Sequence, residues 1–278
     1  MAIPDLSNKH VLVTGAATGI GQATALAFAH QGANLLLSDI NAAALELTAQ
    51  QVRALGVRCR TFIVDVTDAG AMARFAADVH AAVGPLDVLV NNAGIAYLGP
   101  FVHTPLDWWH KVMQVNLMGV VHGCHFFLPA MLGAPGPRHV VNVASAAALA
   151  PACNMSAYAA SKHAVLGLSD SLALEHAQSQ VGFSVICPGV INTPIAAMQG
   201  GNVARVISAG QVERLGQYYR DKGASPDVVA HAIVDAVRRG KGMALPGPYA
   251  RLIYHLRRLS RTALMKLILI DSKKMGWL

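Results

Sequence analysis

HVLVTGAATGIG, residues 10–21, reads as a short apolar strand, a glycine-rich turn and the start of a helix that runs on towards Gly32. Aliphatic residues at 11–13 suit a strand covered on both faces, as in parallel sheets. Glycines at 15, 19 and 21 let the backbone turn tightly and come close to a phosphorylated ligand, whose charge would sit at the helix amino terminus. The spacing is GxxxGxG rather than GxGxxG, and a tight strand-to-helix connection alone would produce it. The next strand, 34–38, ends at Asp39, twenty residues after Gly19. An acid there accepts hydrogen bonds from both hydroxyls of an adenosine ribose and repels a 2′-phosphate. No Lys or Arg lies in the turn or directly after Asp39, so NAD is expected ahead of NADP. The bland alternative for Asp39 is a solvated strand end.

The alternation continues. A helix over about 41–55 leads to a third strand, 60–64, capped by Asp65, and a helix over 69–83 precedes a strand at 86–90 followed by Asn91-Asn-Ala-Gly94. Further strands are read at 138–144, 183–187 and 243–245, with helices at about 158–177 and from Ser225-Pro-Asp227 to near Gly240. Strands and helices in strict turn with short links predict an α/β fold: a doubly wound parallel sheet, Rossmann-type, with helices on both faces. Asn91–Gly94 falls at a strand's carboxyl end, where such sheets bind ligands, though it is equally a turn signal. Thr104-Pro105 reads as an N-cap with Pro at the first helical position, opening a helix to about Leu128. Asn116 lies inside that apolar helix as either a structural hydrogen-bonder or part of a site. Residues 195–222 read as irregular, either a mobile lid or a surface helical excursion.

Composition sets bounds. The 278 residues are 54% apolar and 13% charged with mean hydropathy +0.41, which suits one covered-sheet domain or an oligomer with extra buried surface. Residues 112–137 and 139–161 contain no Asp, Glu, Lys or Arg, but Asn116, His122, His125, Pro129, Asn142 and Asn154 within them argue for buried core over membrane spans. The first ten residues lack a signal-length apolar run, and the cysteines (59, 124, 153, 187) are scattered, so a reducing, cytoplasmic setting is expected. No cluster has metal-ligand spacing and no metal is expected. Residues 249–278 hold seven basic groups against Asp271, a net +6 of the chain's +7, so the basic character belongs to the tail and a nucleic-acid role for residues 1–248 has little support.

VVNVASAAALAPACNMSAYAASK, residues 140–162, carries the chemistry. Ser145 ends an apolar run, and Tyr158 and Lys162 stand at i and i+4, on one face if the segment is helical. A nearby ammonium favours the phenolate, so Tyr158 would exchange protons closer to neutral pH, with a hydroxyl partner thirteen residues upstream. Alone, the pair is better explained by an ordinary helix start with a buried Tyr and a surface Lys.

TGAATGIG (14–21), Asp39, Asp65, NNAG (91–94), Asn116, Ser145, YAASK (158–162) and PGVINT (188–193) in this order resemble the short-chain dehydrogenase/reductase family over about residues 8–247. The resemblance implies an oxidoreductase acting on a CH–OH group, with Tyr158 exchanging a proton with the substrate oxygen and Ser145 holding that oxygen. Lys162 would bind the nicotinamide ribose and lower the Tyr158 pKa, and Asn116 would hold a water linking Lys162 to solvent. Gly15, Thr18, Gly19, Ile20 and Gly21 would cradle adenosine and pyrophosphate, Asp65 and Val66 border the adenine, and Asn92 and Gly94 its ribose. Pro188, Gly189 and Thr193 would meet the nicotinamide end. A homodimer or homotetramer through helices at about 105–131 and 158–177 is implied. Two other readings remain: a nicotinamide-binding regulator without turnover, and an epimerase or dehydratase on the same fold.

Substrate contacts are expected from Tyr97, Leu149, Cys153, Met155, Val190, Ile195 and Met198, mostly apolar, which favours a lipophilic alcohol or ketone of steroid, retinoid or long-chain class. After the domain at 1–248, Leu252, Leu256, Leu259, Ala263, Leu267 and Ile270 follow helical spacing with Arg257, Arg258 and Arg261 off that stripe. The tail, 249–278, therefore reads as a basic amphipathic helix that contacts a membrane surface, another subunit or the substrate pocket.

Overall fold

The computed structural model describes residues 1–198, 201–274, 276 and 277. The strands are β1 (His10–Thr14), β2 (Asn34–Asp39), β3 (Cys59–Ile63), β4 (Val88–Asn91), β5 (Arg138–Val143), β6 (Val181–Ile186) and β7 (Met243–Ala244). They pair in parallel in the order β3-β2-β1-β4-β5-β6-β7. The helices are α1 (Gly19–Ala29), α2 (Ala42–Ala54), α3 (Ala69–Val83), α4 (Leu106–Met113), α5 (Gly119–Gly133), α6 (Ser156–Glu175), α7 (Ala209–Lys222), α8 (Pro226–Arg239), α9 (Ala250–Leu259) and α10 (Arg261–Lys274). This is the doubly wound, Rossmann-type sheet expected from the alternation. The chain steps outward from β1 to β3, then returns to β4 on the other side of β1. That reversal opens a crevice at the carboxyl ends of β1 and β4.

Period-two alternation within the strands divides the core. Val11, Val13, Leu35, Leu37 and Val90 face Phe28, Leu45, Val52, Ile233 and Val237 on one side. Leu12, Leu36, Leu89 and Val140 face Met72, Phe75, Phe127 and Val165 on the other. Each such fully buried side chain contributes about 1.5–3 kcal/mol, which is why these positions of the strands are aliphatic.

Four local readings need correction. The hydroxyl of Thr104 donates to the carbonyls of Gly99 and Pro100 (3.3 and 3.0 Å), so it does not cap α4, which starts at Leu106. Between α4 and α5 the helix widens into a π turn at Gln114–Met118, closed by the Gly119 N–H on the Gln114 carbonyl. Residues 195–222 are irregular only in part: Ala209–Lys222 form α7, the helical alternative, started by a capping box between Ser208 and Gln211, an S-x-x-Q signal readable in the sequence. The tail is two helices. Ser260 adopts an extended conformation, and its hydroxyl accepts from the Ala263 N–H at 3.1 Å, a cap that competes with helix continuation. Among the described residues, Leu106–Gly133 is the one helical stretch long and apolar enough to cross a membrane by length and composition, and 44% of its most apolar window is buried in this fold.

Candidate active site

The adenine end is built from turns. Gly15 and Gly19 have φ of +63° and +58°, left-handed values that a side chain resists. Thr18 precedes α1 without capping it through its side chain, which leaves the first amide N–H groups of α1 free for a ligand oxygen. Asp39 closes the turn: one carboxylate oxygen accepts from Ala17 N–H at 3.0 Å and the other from Asn41 N–H at 2.9 Å. Asn92 donates to the carbonyls of Thr14 and Gly15 (3.0 and 3.1 Å), while the Thr14 hydroxyl accepts from Asn92 and Ala93 N–H. These bonds stitch the ends of β1 and β4 across the crevice. Thr14 has no assigned place in the sequence reading, because its partners lie nearly eighty residues away.

Ser145 caps a 3-10 turn at Ala146–Ala148 by accepting from Ala147 N–H at 3.1 Å, and its side chain lies near enough to the Tyr158 hydroxyl to favour the phenolate. Lys162 lies one turn on in α6, with Nζ 5.8 Å from the Tyr158 ring centre and donating to the Val143 carbonyl at 2.9 Å. Burial pushes the Tyr158 phenol up to about 12, Ser145 opposing, and pulls the Lys162 ammonium down to about 8. Hence the expected lowering of Tyr158 by Lys162 does not prevail in this structure: desolvation of both groups outweighs their mutual influence. Asn116 is fully buried. Its oxygen accepts from Ile95 N–H at 2.8 Å, and its amide donates to the Ile95 carbonyl and the Ser161 hydroxyl. That side chain ties the loop after β4 to α6, with both amide hydrogens used on protein partners.

One prediction follows from the buried ammonium. Lys162 is 4% exposed, and its pKa of about 8 lies below the ordinary 10.5. Between those values the folded chain holds fewer protons than the unfolded one, so this group's contribution to stability rises with pH. At neutral pH its buried charge costs about 3 kcal/mol. Lys162→Met is expected to raise the neutral-pH melting temperature by several degrees and to flatten the gain above pH 8. Above pH 10 the raised Tyr158 pKa acts in the opposite sense. A variant that melts at or below the parent at neutral pH would refute the buried-charge account.

A cavity of about 1210 Å³ joins these parts. Gly15, Thr18, Gly19, Ile20, Asp39, Asp65, Val66, Asn92 and Gly94 line it at one end, with Ser145, Tyr158, Lys162, Pro188, Gly189 and Thr193 further along. Cys153, Met155, Val190, Ile195 and Met198 also line it. Gly21 and Asn116 act from behind this wall. Tyr97 and Leu149, expected among the substrate contacts, are off it. Tyr97 is buried with its ring 4.9 Å from that of Trp108, and Leu149 turns its side chain into the core under α6 and offers only its carbonyl, to Arg257. In their place stand Leu215, Tyr218 and Tyr219 from α7, and Tyr249, Leu252, Ile253, Leu264, Ile268 and Trp277 from the tail. Of the tail's three expected neighbours, the pocket is the one it contacts within this chain.

Residues 9–202 match the short chain dehydrogenase family. The chain is 41% identical over 260 residues to the probable oxidoreductase EphD of Mycobacterium tuberculosis (strain H37Rv), covering 91% of this chain and 43% of that protein. It therefore spans less than half the length of that relative. It is 36% identical over 217 residues to cyclohexanol dehydrogenase of Acinetobacter sp. (strain SE19), covering 76% of this chain and 83% of that one. Among solved structures, a short chain dehydrogenase/reductase from Burkholderia phymatum in complex with NAD superposes with a TM-score of 0.85 at 30% identity, covering 92% of this chain and 95% of that one.

Proposed function

The chain belongs to the short-chain dehydrogenase family, and from that premise we propose an NAD-dependent oxidoreductase that interconverts a lipophilic secondary alcohol and its ketone, with Tyr158 as the proton-exchanging group. The observation that carries the reading is that Ser145, Tyr158 and Lys162 line one cavity, Lys162 Nζ 5.8 Å from the Tyr158 ring centre, together with a glycine turn, Asp39 and apolar side chains. At about 1210 Å³ the cavity exceeds the roughly 300–1,000 Å³ of a common ligand site, which suits a dinucleotide plus a second molecule.

The residues present fit the cofactor. Gly15, Gly19 and the free α1 amides would take the pyrophosphate, and Asp39 the adenosine ribose. Asp65 and Val66 would border the adenine, with Asn92 and Gly94 beyond. Pro188, Gly189 and Thr193 would flank the nicotinamide. Bound there, the nicotinamide would supply the hydride acceptor in alcohol oxidation and the donor in ketone reduction. Tyr158 would remove the hydroxyl proton as the carbinol hydrogen departs, and return it in the reverse direction. Ser145 would hold the substrate oxygen beside Tyr158. Lys162 keeps protons beyond the one given to Val143, and these would hold the nicotinamide ribose. Residues 1–248 would form the dehydrogenase domain with 249–278 as its appendage. Exposed Phe101 and Val102, in the 3-10 turn before α4, and Leu106 at its start support self-association along that helix and α6.

The test is turnover on a panel of hydrophobic secondary alcohols with NAD or NADP, read as reduced cofactor. Turnover with NAD is expected; NAD binding with no turnover across the panel would instead favour a regulator. Asp39→Ala is expected to lower kcat/KM with NAD by about 10–100-fold, the value of a charge-assisted hydrogen bond, and to change the NADP value far less. Equal losses with both cofactors would sink the assignment of Asp39 to the ribose.

A further inference from the structure

The two tail helices have unlike faces. Inward, Ile253, Leu264 and Ile268 wall the cavity, joined by Trp277 beyond the end of α10. Arg257 pins α9 there, donating to the Leu149 carbonyl at 2.6 Å and lying 3.1 Å from His163 Nε2. Outward, Leu259 is 83% exposed, and Met265, Leu269 and Ile270 are 46%, 46% and 52% exposed, all three within six residues of α10. A helix that faces only water does not concentrate large apolar side chains in this way.

Arg251, Arg258, Arg261, Lys266, Lys273 and Lys274 stand exposed among them. None forms an ion pair among the described residues. The tail's single acid, Asp271, lines the cavity with Tyr218 of α7, whose phenol burial and that carboxylate together push upward.

We propose that the outer face of α9 and α10 docks on the surface of an anionic lipid bilayer. Met265, Leu269 and Ile270 would sit among the headgroups and acyl boundary, with the cations against lipid phosphate and carboxylate. Charge and apolarity together select this occupant. A nucleic acid would meet the cations but leave the apolar residues in water. A second copy of this chain would bring one +6 tail against another across a symmetric interface. Leu267 is 44% exposed and also lines the cavity, so docking would bring the tail side of the cavity to the lipid surface. Resting on the lipophilic-substrate reading, this lets a substrate pass between bilayer and cavity alongside α10 with little exposure to water.

The test reads vesicle binding and needs no turnover, so its failure is separate from failure of the proposed reaction. The full chain is sedimented with phosphatidylcholine vesicles and with vesicles of phosphatidylcholine and phosphatidylserine, at low and raised salt. It is expected to sediment with the mixed vesicles only, and less as salt rises. Replacing Arg261, Lys266 and Lys273 by Gln should weaken partitioning about a hundredfold, each cation being worth roughly fivefold. Replacing Met265, Leu269 and Ile270 by Asn should also abolish sedimentation, with a melting temperature near the parent's. Should the Asn variant misfold, the Gln variant, altered only at exposed positions, still decides the matter. Absence of sedimentation with mixed vesicles at low salt overturns the proposal, as does undiminished sedimentation of the Gln variant. Self-association that the Asn substitutions abolish, without vesicle binding, assigns the face to a second copy and also overturns it.

Discussion

Tyr158→Phe is expected to lower turnover about a thousandfold, within the range of general acid–base catalysis, while NAD affinity stays near the parent's. The ring keeps its place on α6 and only the hydroxyl beside Ser145 is lost. The pH profile separates a chemical role from a structural one. Alcohol oxidation needs the phenolate, and burial holds the phenol up near 12, so the parent's oxidation rate should climb through the alkaline range. Ketone reduction uses the protonated phenol and should stay level over the same range. In the Phe variant the climb should vanish along with the rate. Parent-like turnover in this variant, or an unchanged alkaline climb, would remove Tyr158 from the mechanism.

Gly21→Ala should weaken NAD binding by about two orders of magnitude and lower stability by about 1–3 kcal/mol, as overpacking does. The cause is contact distance, not backbone conformation. A methyl group at Gly21 would lie 2.0 Å from the Gly15 carbonyl oxygen, 2.6 Å from Asn92 Nδ2 and 2.8 Å from the Gly15 carbonyl carbon. None of these can retreat cheaply, since Asn92 is itself bonded to Thr14 and Gly15. Relief requires α1 to move off β1, which takes its free amides away from the crevice. Gly56→Ala is the control: φ there is +81° but nothing lies within 4 Å, so a cost of about 1–2 kcal/mol with intact NAD binding is expected. NAD affinity and melting temperature of the two variants check both statements; parent-like NAD affinity in Gly21→Ala would contradict the close-packed turn.

The parts legible in the sequence are those that local periodicity encodes. Aliphatic strands alternating with helices set the sheet, and the glycines at 15, 19 and 21 with Asp39 mark its first crossover. Tyr158 and Lys162 share a helix face because 3.6 residues make a turn. Ser208 and Gln211 were equally legible as a cap, yet the irregular look of the glycines at 200 and 201 obscures the helix that follows. The place of Tyr97 is not legible, because its sequence position, just after NNAG, says nothing of Trp108, the aromatic against which it packs.

Sequence alone thus determined the order of elements, the glycine turn and the presence of an acid, a hydroxyl, a phenol and an ammonium at workable spacing. Tertiary structure decided which of them face one cavity, that α7 and the tail helices form its far wall, and that Asn116 binds Ile95 and Ser161. It also set the direction in which Tyr158 titrates. The physical reason is range. Helix faces, strand faces and caps depend on residues a few positions apart. Cavity walls and the dielectric around a buried phenol depend on chain segments a hundred residues apart that meet only after the sheet has closed over its core.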